Sequence, residues 1–250
     1  MPPDPRVSQI AAAVLAGGAG IRLRSLVADR PKSLAAIGGK PFLAYLLDQL
    51  GSQGFRQVVL CTGYLGDQIQ SSFGDNYRGI ALSYSREERA LGTAGAIRHA
   101  LPLLTSETVL VLNGDSYCDT DFSAALHWHR YKRALATLIL AHVDDGSRFG
   151  AVSAAADGRI EAFREKTGAQ NPSWINSGVY WLERSLLAAL RPDQVLSLER
   201  DVLGSWRGAG LYGYRQSGRF LDIGIPEDFT RAERFLTEIG AALPELAGTI

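Results

Sequence analysis

The sequence predicts an α/β domain in which a mostly parallel central sheet is sandwiched between helices. Strand-length apolar runs at 10–15, 58–62, 81–85, 109–112 and 135–141 alternate with segments of helical period at 42–50, 67–73, 94–104 and 122–132. The runs lie too far apart for hairpins, so each return to the sheet needs a crossover helix, which is the βαβ pattern. No Gly-, Ser- or Pro-rich linker, internal repeat or low-complexity tract divides the chain.

Taken in order, the strand at 10–15 runs into a glycine-rich loop, LAGGAGIRLRS, at 15–25. Helix 42–50, strand 58–62, helix 67–73, strand 81–85 and helix 94–104 follow. The strand at 109–112 ends in Asn113-Gly114-Asp115. Asp119 and Asp121 stand just before helix 122–132 and read as its caps. His127 and His129 on that helix are two apart, point to different faces and read as surface or packing residues. Beyond about 150 the pattern loosens into shorter strands at 159–164, 179–182, 211–214 and 220–223, with helices at 184–190 and 226–240. This second half reads as an extension of the first, so residues 1–250 are expected to form a single domain.

Composition narrows the function. With 250 residues and 46% hydrophobic content the chain can bury a substantial core. Lys plus Arg equals Asp plus Glu at 26 each, so no global field draws in a nucleic acid or an anionic membrane. A small, locally recognised ligand is the expected partner. Cys61 and Cys118 share no metal-site spacing, which argues against a disulfide framework and fits a reducing compartment. The N-terminus lacks a signal-peptide pattern and no run reaches a membrane-spanning length of about 18 residues. A cytoplasmic location is expected, with no membrane partner.

The glycine loop fails both common nucleotide fingerprints. Gly18-Ala19-Gly20 begins G-x-G-x-x-G, but Leu23 stands where the third glycine belongs. The only Gly-Lys pair, Gly39-Lys40, is followed by Pro41 rather than the Ser or Thr of a P-loop. What remains is a strand, a loop whose backbone N–H groups can converge on an anion, and then Arg22 and Pro31-Lys32, a fork and a point charge suited to polyphosphate. An ordinary βα turn with surface arginines stays open. Asp115 would sit at the carboxyl end of a parallel strand, where ligands gather, and a carboxylate there can hold Mg²⁺ beside substrate phosphates. The alternative is a turn aspartate that caps the next element.

LAGGAGIRLRSLVADRPKSL resembles the signature of the sugar 1-phosphate nucleotidyltransferases, GGxGTRLxPLTxxRPKP. LGTAGAIRHA at 91–100, LNGDSY at 112–117, FREK at 163–166, INSGVY at 175–180 and FLDIGIPEDF at 220–229 resemble the family's later motifs in the family's order. The resemblance implies a three-layer, Rossmann-like nucleotidyltransferase domain with a mixed, mostly parallel central sheet. It implies a nucleotide-binding half over about 10–150 and a sugar-phosphate-binding half over about 150–240.

Residue by residue, it implies that Leu15, Ala16, Gly17 and Gly18 lie against base and ribose, and that Gly20, Arg22 and Lys32 contact the triphosphate. Glu88, Gly92 and Asn113 join the nucleotide pocket. Asp115 and Asp222 are implied to hold catalytic Mg²⁺. Gly150, Glu165, Lys166 and Asn176 are implied to take the sugar phosphate, with Lys166 on its phosphate. Without the resemblance, Glu165-Lys166 reads as an exposed ion pair and Asp222 as a strand-end aspartate. Four positions depart from the pattern: Ile21 replaces threonine, and Ser25, Ser33 and Thr167 replace prolines.

Within the family, NGDSYCD, SLERD at 197–201 and LDIGIPEDF resemble guanylyltransferases acting on a manno-configured heptose 1-phosphate, which implies GTP as the nucleotide partner. Guanylyl transfer to mannose 1-phosphate, uridylyl transfer to an amino-sugar phosphate, a non-catalytic sugar-nucleotide-binding regulatory role and a glycosyltransferase stay open. So does a homo-oligomer. The sugar phosphate brings its own ionised nucleophile, so the absence of an activated Ser, Cys or His pattern is consistent with the implied reaction.

Overall fold

The computed structural model describes residues 5–18, 30–147, 149–164, 171–206, 210–224 and 226–240. Strand β1 (Ala11–Leu15) is followed by β2 (Ala36–Ile37), β3 (Lys40–Pro41), α1 (Phe42–Ser52), β4 (Gln57–Thr62) and α2 (Gly66–Phe73). Next come β5 (Asn76–Tyr77), β6 (Ile80–Arg86), α3 (Gly92–Ala100), β7 (Thr108–Asn113), β8 (Ser116–Cys118) and α4 (Phe122–Tyr131). The second half holds β9 (Ala136–Val143), β10 (Ala151–Ala154), β11 (Ile160–Arg164), β12 (Ser173–Glu183) and α5 (Arg184–Ala188). It closes with β13 (Leu211–Gln216), β14 (Phe220–Asp222) and α6 (Pro226–Gly240).

The central strands are apolar at nearly every position because both of their faces are covered, as parallel sheets require. In β1, Ala12 and Val14 join a core packed under α1, α2, α4 and α6. Ala11 and Ala13 join the opposite core, under α3 and α5. The same alternation divides Leu110 and Leu112 from Val109 and Val111 in β7. The expected helix–sheet–helix layering is therefore present, with the sheet in the middle.

The strand order is β11-β10-β12-β7-β1-β4-β6-β5, with β9 on β12 and β13 on β9. β1 runs parallel to β4 and to β7, and β4 parallel to β6. The second half supplies the antiparallel part of the mixed sheet, where β12 pairs with both β7 and β9. From β1 the chain moves outward through β4 and β6, then returns to the other side of β1 as β7. Loops leaving the carboxyl ends of β1 and β7 therefore diverge, and open a crevice at the switch point of the sheet.

Some local expectations need correction. The β2–β3 and β5–β6 pairs are hairpins. β2, β3 and β5 have only two residues each, too few to leave an alternating pattern between the longer runs. Asp121 caps α4 by accepting from the Ala124 N–H. Asp119 does not cap it; its backbone N–H donates to the Arg219 carbonyl and ties the β8 segment to the one entering β14.

His127 is exposed and His129 is buried. His129 Nδ1 lies 2.9 Å from Thr137 Oγ1, and Nε2 lies 3.0 Å from Glu183 Oε1. Burial holds this imidazole below its usual range, against the pull of the Glu183 carboxylate toward the charged form. A depressed histidine pKa favours the neutral folded state, so its contribution is full above the unfolded histidine pKa of about 6.5 and is lost as pH falls below it. Denaturant unfolding at pH 7.5 and 5.5 is expected to show a loss at the lower pH that shrinks in His129→Gln. An equal loss in both proteins rejects His129 as its source.

Candidate active site

A cavity of about 1230 Å³ opens at the carboxyl ends of β1, β4, β6 and β7. Leu15, Ala16, Gly17 and Gly18 form one wall, and Asn113, Gly114 and Asp115 form another. Lys32, Glu88, Gly92 and Gly224 also line it. Of the positions expected at the nucleotide, those among the described residues line the switch-point crevice.

Gly114 shows why this corner has the sequence it has. Its N–H donates to the Leu15 carbonyl at 2.9 Å, so β7 hugs β1 as both strands end. A Cβ at position 114 would lie 2.5 Å from the Leu15 oxygen, closer than any side chain can sit. Glycine lets the chain turn here and deliver Asp115 into the crevice. Its backbone carbonyl accepts from Ile223 N–H at 3.0 Å, and β14 pairs Asp222 with Ser116, so the two carboxylates meet from distant parts of the chain.

Lys32 Nζ donates to Asp115 Oδ2 at 2.8 Å. The lysine side chain is only 11% exposed, whereas that of Asp115 is 42% exposed, so the cation is held in the protein and the carboxylate stays reachable. Burial, and then the negative charge of Asp115, push the Asp222 carboxyl above the usual carboxylate range, with Lys32 opposing them. The Gly224 N–H donates to Asp222 Oδ1 at 2.6 Å and fixes its direction. Two carboxylates beside one lysine leave an excess of negative charge and hard oxygen donors, which suits a divalent cation completed by substrate phosphates. Among the described residues no cluster of three or more His, Cys, Asp or Glu is placed to hold a metal ion.

On the opposite wall, LGTAG at 91–95 starts α3. Gly92 has φ +73°, and a Cβ there would meet the Leu196 oxygen at 2.5 Å. Leu196 N–H donates to Leu91 O at 2.8 Å, and Ala94 N–H returns the bond to Leu196 O at 2.9 Å. Leu196, the residue before SLERD, thus buttresses the N-terminus of α3. Glu88 is exposed at the rim. Its neighbour Glu87 reaches inward, accepting from the Leu91 N–H at 3.1 Å while its carboxylate packs against Gly17 and Gly63. Glu87, Thr93 and Glu199 carry no signal of their own in the sequence. The LGTAG and SLERD motifs that hold the last two were visible, but their contact was not.

Asn176 and Gly150 lie at this same edge. The β12–β7 register places Val179 beside Leu112, so the chain before it extends past the end of β7. Ala151 pairs with Ile175 in the antiparallel β10–β12 contact, which puts Gly150 next to Asn176. A bulge between Asn176 and Tyr180 contains Gly178, packed against the Asn113 side chain. Gly20, Ile21, Arg22, Ser25, Glu165, Lys166 and Thr167 lie outside the described residues. Ser33, one of the four departures from the resembled signature, is buried at the cavity edge. Cys61 and Cys118 are free and buried, and burial pushes both thiols up to about 12. No helix among the described residues is long and apolar enough to cross a membrane.

Topology and cavity together define an α/β protein with a phosphate-compatible crevice at a sheet switch point. Residues 11–239 match the nucleotidyl transferase family model, and the chain belongs to that family. A D-glycero-alpha-D-manno-heptose 1-phosphate guanylyltransferase from Aneurinibacillus thermoaerophilus is 38% identical over 226 residues, covering 90% of this chain and 97% of that protein. A mannose-1-phosphate guanylyltransferase from Mycobacterium tuberculosis is 36% identical over 244 residues, covering 96% of this chain and 68% of that protein. The crystal structure of HddC from Yersinia pseudotuberculosis complexed with GMP-PN is similar with a TM-score of 0.82 and 32% identity, over 91% of this chain and 99% of that one.

Proposed function

We propose that the protein transfers GMP from GTP to D-glycero-α-D-manno-heptose 1-phosphate, releasing pyrophosphate and yielding a GDP-sugar for surface polysaccharide synthesis. The convergence of Lys32, Asp115 and Asp222 at the switch-point crevice carries the chemistry of this reading. The choice of GTP and heptose is supported by the relative from Aneurinibacillus thermoaerophilus, which the chain spans almost from end to end. Both halves act as one domain in this reading, because one sheet runs through them. Consumption of a nucleoside triphosphate fits a cytoplasmic location.

An ionised phosphate oxygen of the sugar 1-phosphate attacks the α-phosphorus of GTP. The new O–P bond forms as the bond to the β-phosphate oxygen breaks, and pyrophosphate leaves with that electron pair. No base is needed, so the protein's task is to bring two anions together and hold them in line. Gly17 and Gly18 lie along the end of β1 where base and ribose would sit, with Gly17 itself packed against Glu87 and Gly63. Lys32, already buried beside Asp115, exchanges that carboxylate for a phosphate oxygen. Asp115 and Asp222 would hold Mg²⁺, which when bound supplies charge neutralisation and orientation at the α-phosphate. Arg22 stabilises departing pyrophosphate, and Lys166 the incoming sugar phosphate, with Glu165, Asn176 and Gly150 around the sugar.

Purified protein with Mg²⁺, given each of four nucleoside triphosphates against a panel of sugar 1-phosphates, is expected to release pyrophosphate fastest with GTP and the heptose phosphate. Preference for UTP or dTTP with GTP inert overturns the guanylyl assignment. Mannose 1-phosphate is the second acceptor to weigh, because of the similarity to the mycobacterial protein. Faster turnover with mannose than with heptose phosphate selects it.

A further inference from the structure

A chain of hydrogen bonds crosses from the sugar-side strand to the nucleotide cavity and is centred on Glu199. Its Oε1 accepts from the Tyr180 hydroxyl at 2.8 Å, and its Oε2 accepts from Thr93 Oγ1 at 3.0 Å and Ser197 Oγ at 2.9 Å. Tyr180 is fully buried, and its oxygen accepts from Asn176 Nδ2 at 2.8 Å. Thr93 lines the cavity, and its oxygen accepts from the Leu198 N–H at 2.7 Å. Asn176 Oδ1 accepts from the Gly178 N–H at 3.1 Å.

The direction of every bond in this chain follows from one fact: an ionised carboxylate can only accept. Tyr180 must therefore spend its single proton on Glu199, which leaves its lone pairs to accept from Asn176. Asn176 must in turn point its amide nitrogen toward Tyr180 and its oxygen toward Gly178. One Nδ2 proton remains without a partner among the described residues. Thr93 is oriented the same way, donating to Glu199 and accepting from Leu198, and so pins the first turn of α3 against SLERD.

We propose that Glu199 is a positioning residue for both substrates. It presents Asn176 to the sugar 1-phosphate as a hydrogen-bond donor, through Tyr180, and it holds the nucleotide-side wall in place, through Thr93. This inference rests on the reading of Asn176 as a sugar-phosphate residue. It explains why a carboxylate stands at position 199 with hydroxyl partners and, among the described residues, no cation: a neutral amide in its place could donate, and would let the chain reverse.

The test is steady-state kinetics with whichever sugar 1-phosphate the wild-type protein turns over fastest, with thermal melting recorded for each variant. Tyr180→Phe cuts only the branch to Asn176. It is expected to raise KM for the sugar 1-phosphate about tenfold, the scale of one lost hydrogen bond, while KM for the nucleoside triphosphate stays within about twofold. Thr93→Val cuts the other branch and should show the opposite split. Glu199→Gln should raise both KM values. Combining Glu199→Gln with Tyr180→Phe should add nothing further for the sugar phosphate, because both act through one chain. Unchanged KM values in Glu199→Gln, or a further tenfold loss in the double variant, overturn the proposal. Asn176→Ala separates the two readings. If it raises the sugar phosphate KM while Glu199→Gln does not, only the positioning role falls. If Asn176→Ala has no effect, the placement of Asn176 at the sugar phosphate falls with it.

Discussion

Asp115→Asn is expected to lower turnover by about two to three orders of magnitude, the cost of removing one preorganised electrostatic group from the reacting centre. The amide keeps the size of the side chain and the turn that Gly114 allows. What it loses is the negative charge that pairs with Lys32 and stands beside Asp222. A neutral residue 115 leaves a single carboxylate for a divalent cation and removes the charge partner of Lys32, whose side chain is only 11% exposed. Stability should fall by no more than about 1 kcal/mol, since the Asp115 carboxylate is 42% exposed and the pair is partly screened by water. Stopped or steady-state assays of pyrophosphate release check the rate, and a urea melt checks the fold. Arg22→Ala is expected to lose activity on the same scale. Near-normal turnover in both variants rejects the proposed site.

Gly92→Ala should be the most damaging single methyl group on the nucleotide side. Its φ of +73° costs a side chain about 1–2 kcal/mol, and the added Cβ would sit 2.5 Å from the backbone oxygen of Leu196. That oxygen cannot simply withdraw, because it accepts from the Ala94 N–H and is held by the Leu196 bond to Leu91. The SLERD segment must shift, at a further cost of about 1–3 kcal/mol for overpacking. The melting temperature is expected to drop by roughly 5–15 °C. Because Thr93 and Glu199 move with that segment, affinity for a non-hydrolysable GTP analogue should weaken as well. A wild-type melting temperature and analogue affinity in Gly92→Ala reject this account of the wall. Gly95→Ala is a useful companion, since it meets the Gln194 oxygen at 2.4 Å without a positive φ and so isolates the steric part.

Periodicity was enough to predict the central strands because each is buried on both faces. A run such as Val109 to Leu112 is short, partly β-branched and ends at a glycine turn, which favours an interior strand over a buried helix. The same reasoning located α4 and its Asp121 cap, and the last helix at Pro226–Gly240, since caps and amphipathic stripes are local properties. The small hairpins escaped, being too short to make a pattern. Strand β12 (Ser173–Glu183) was legible only at its C-terminal end, 179–182. The earlier part of β12 carries the bulge at Asn176 to Tyr180, which breaks the alternation.

For the site, local pattern was enough to tell which chemical groups the crevice can offer: glycines after β1, a Pro-Lys, and an aspartate at the end of β7. A strand end in a parallel sheet faces the ligand edge wherever the chain goes next. Which of these groups meet depends on long-range strand pairing. Asp222 reaches Asp115 because β14 pairs with β8, and SLERD reaches LGTAG because residues 194–199 fold back on α3. Pairings over about a hundred residues leave no periodic trace in the sequence. They are set by the closure of the sheet, which buries Tyr180 and obliges Glu199, Thr93 and Asn176 to satisfy one another's hydrogen bonds.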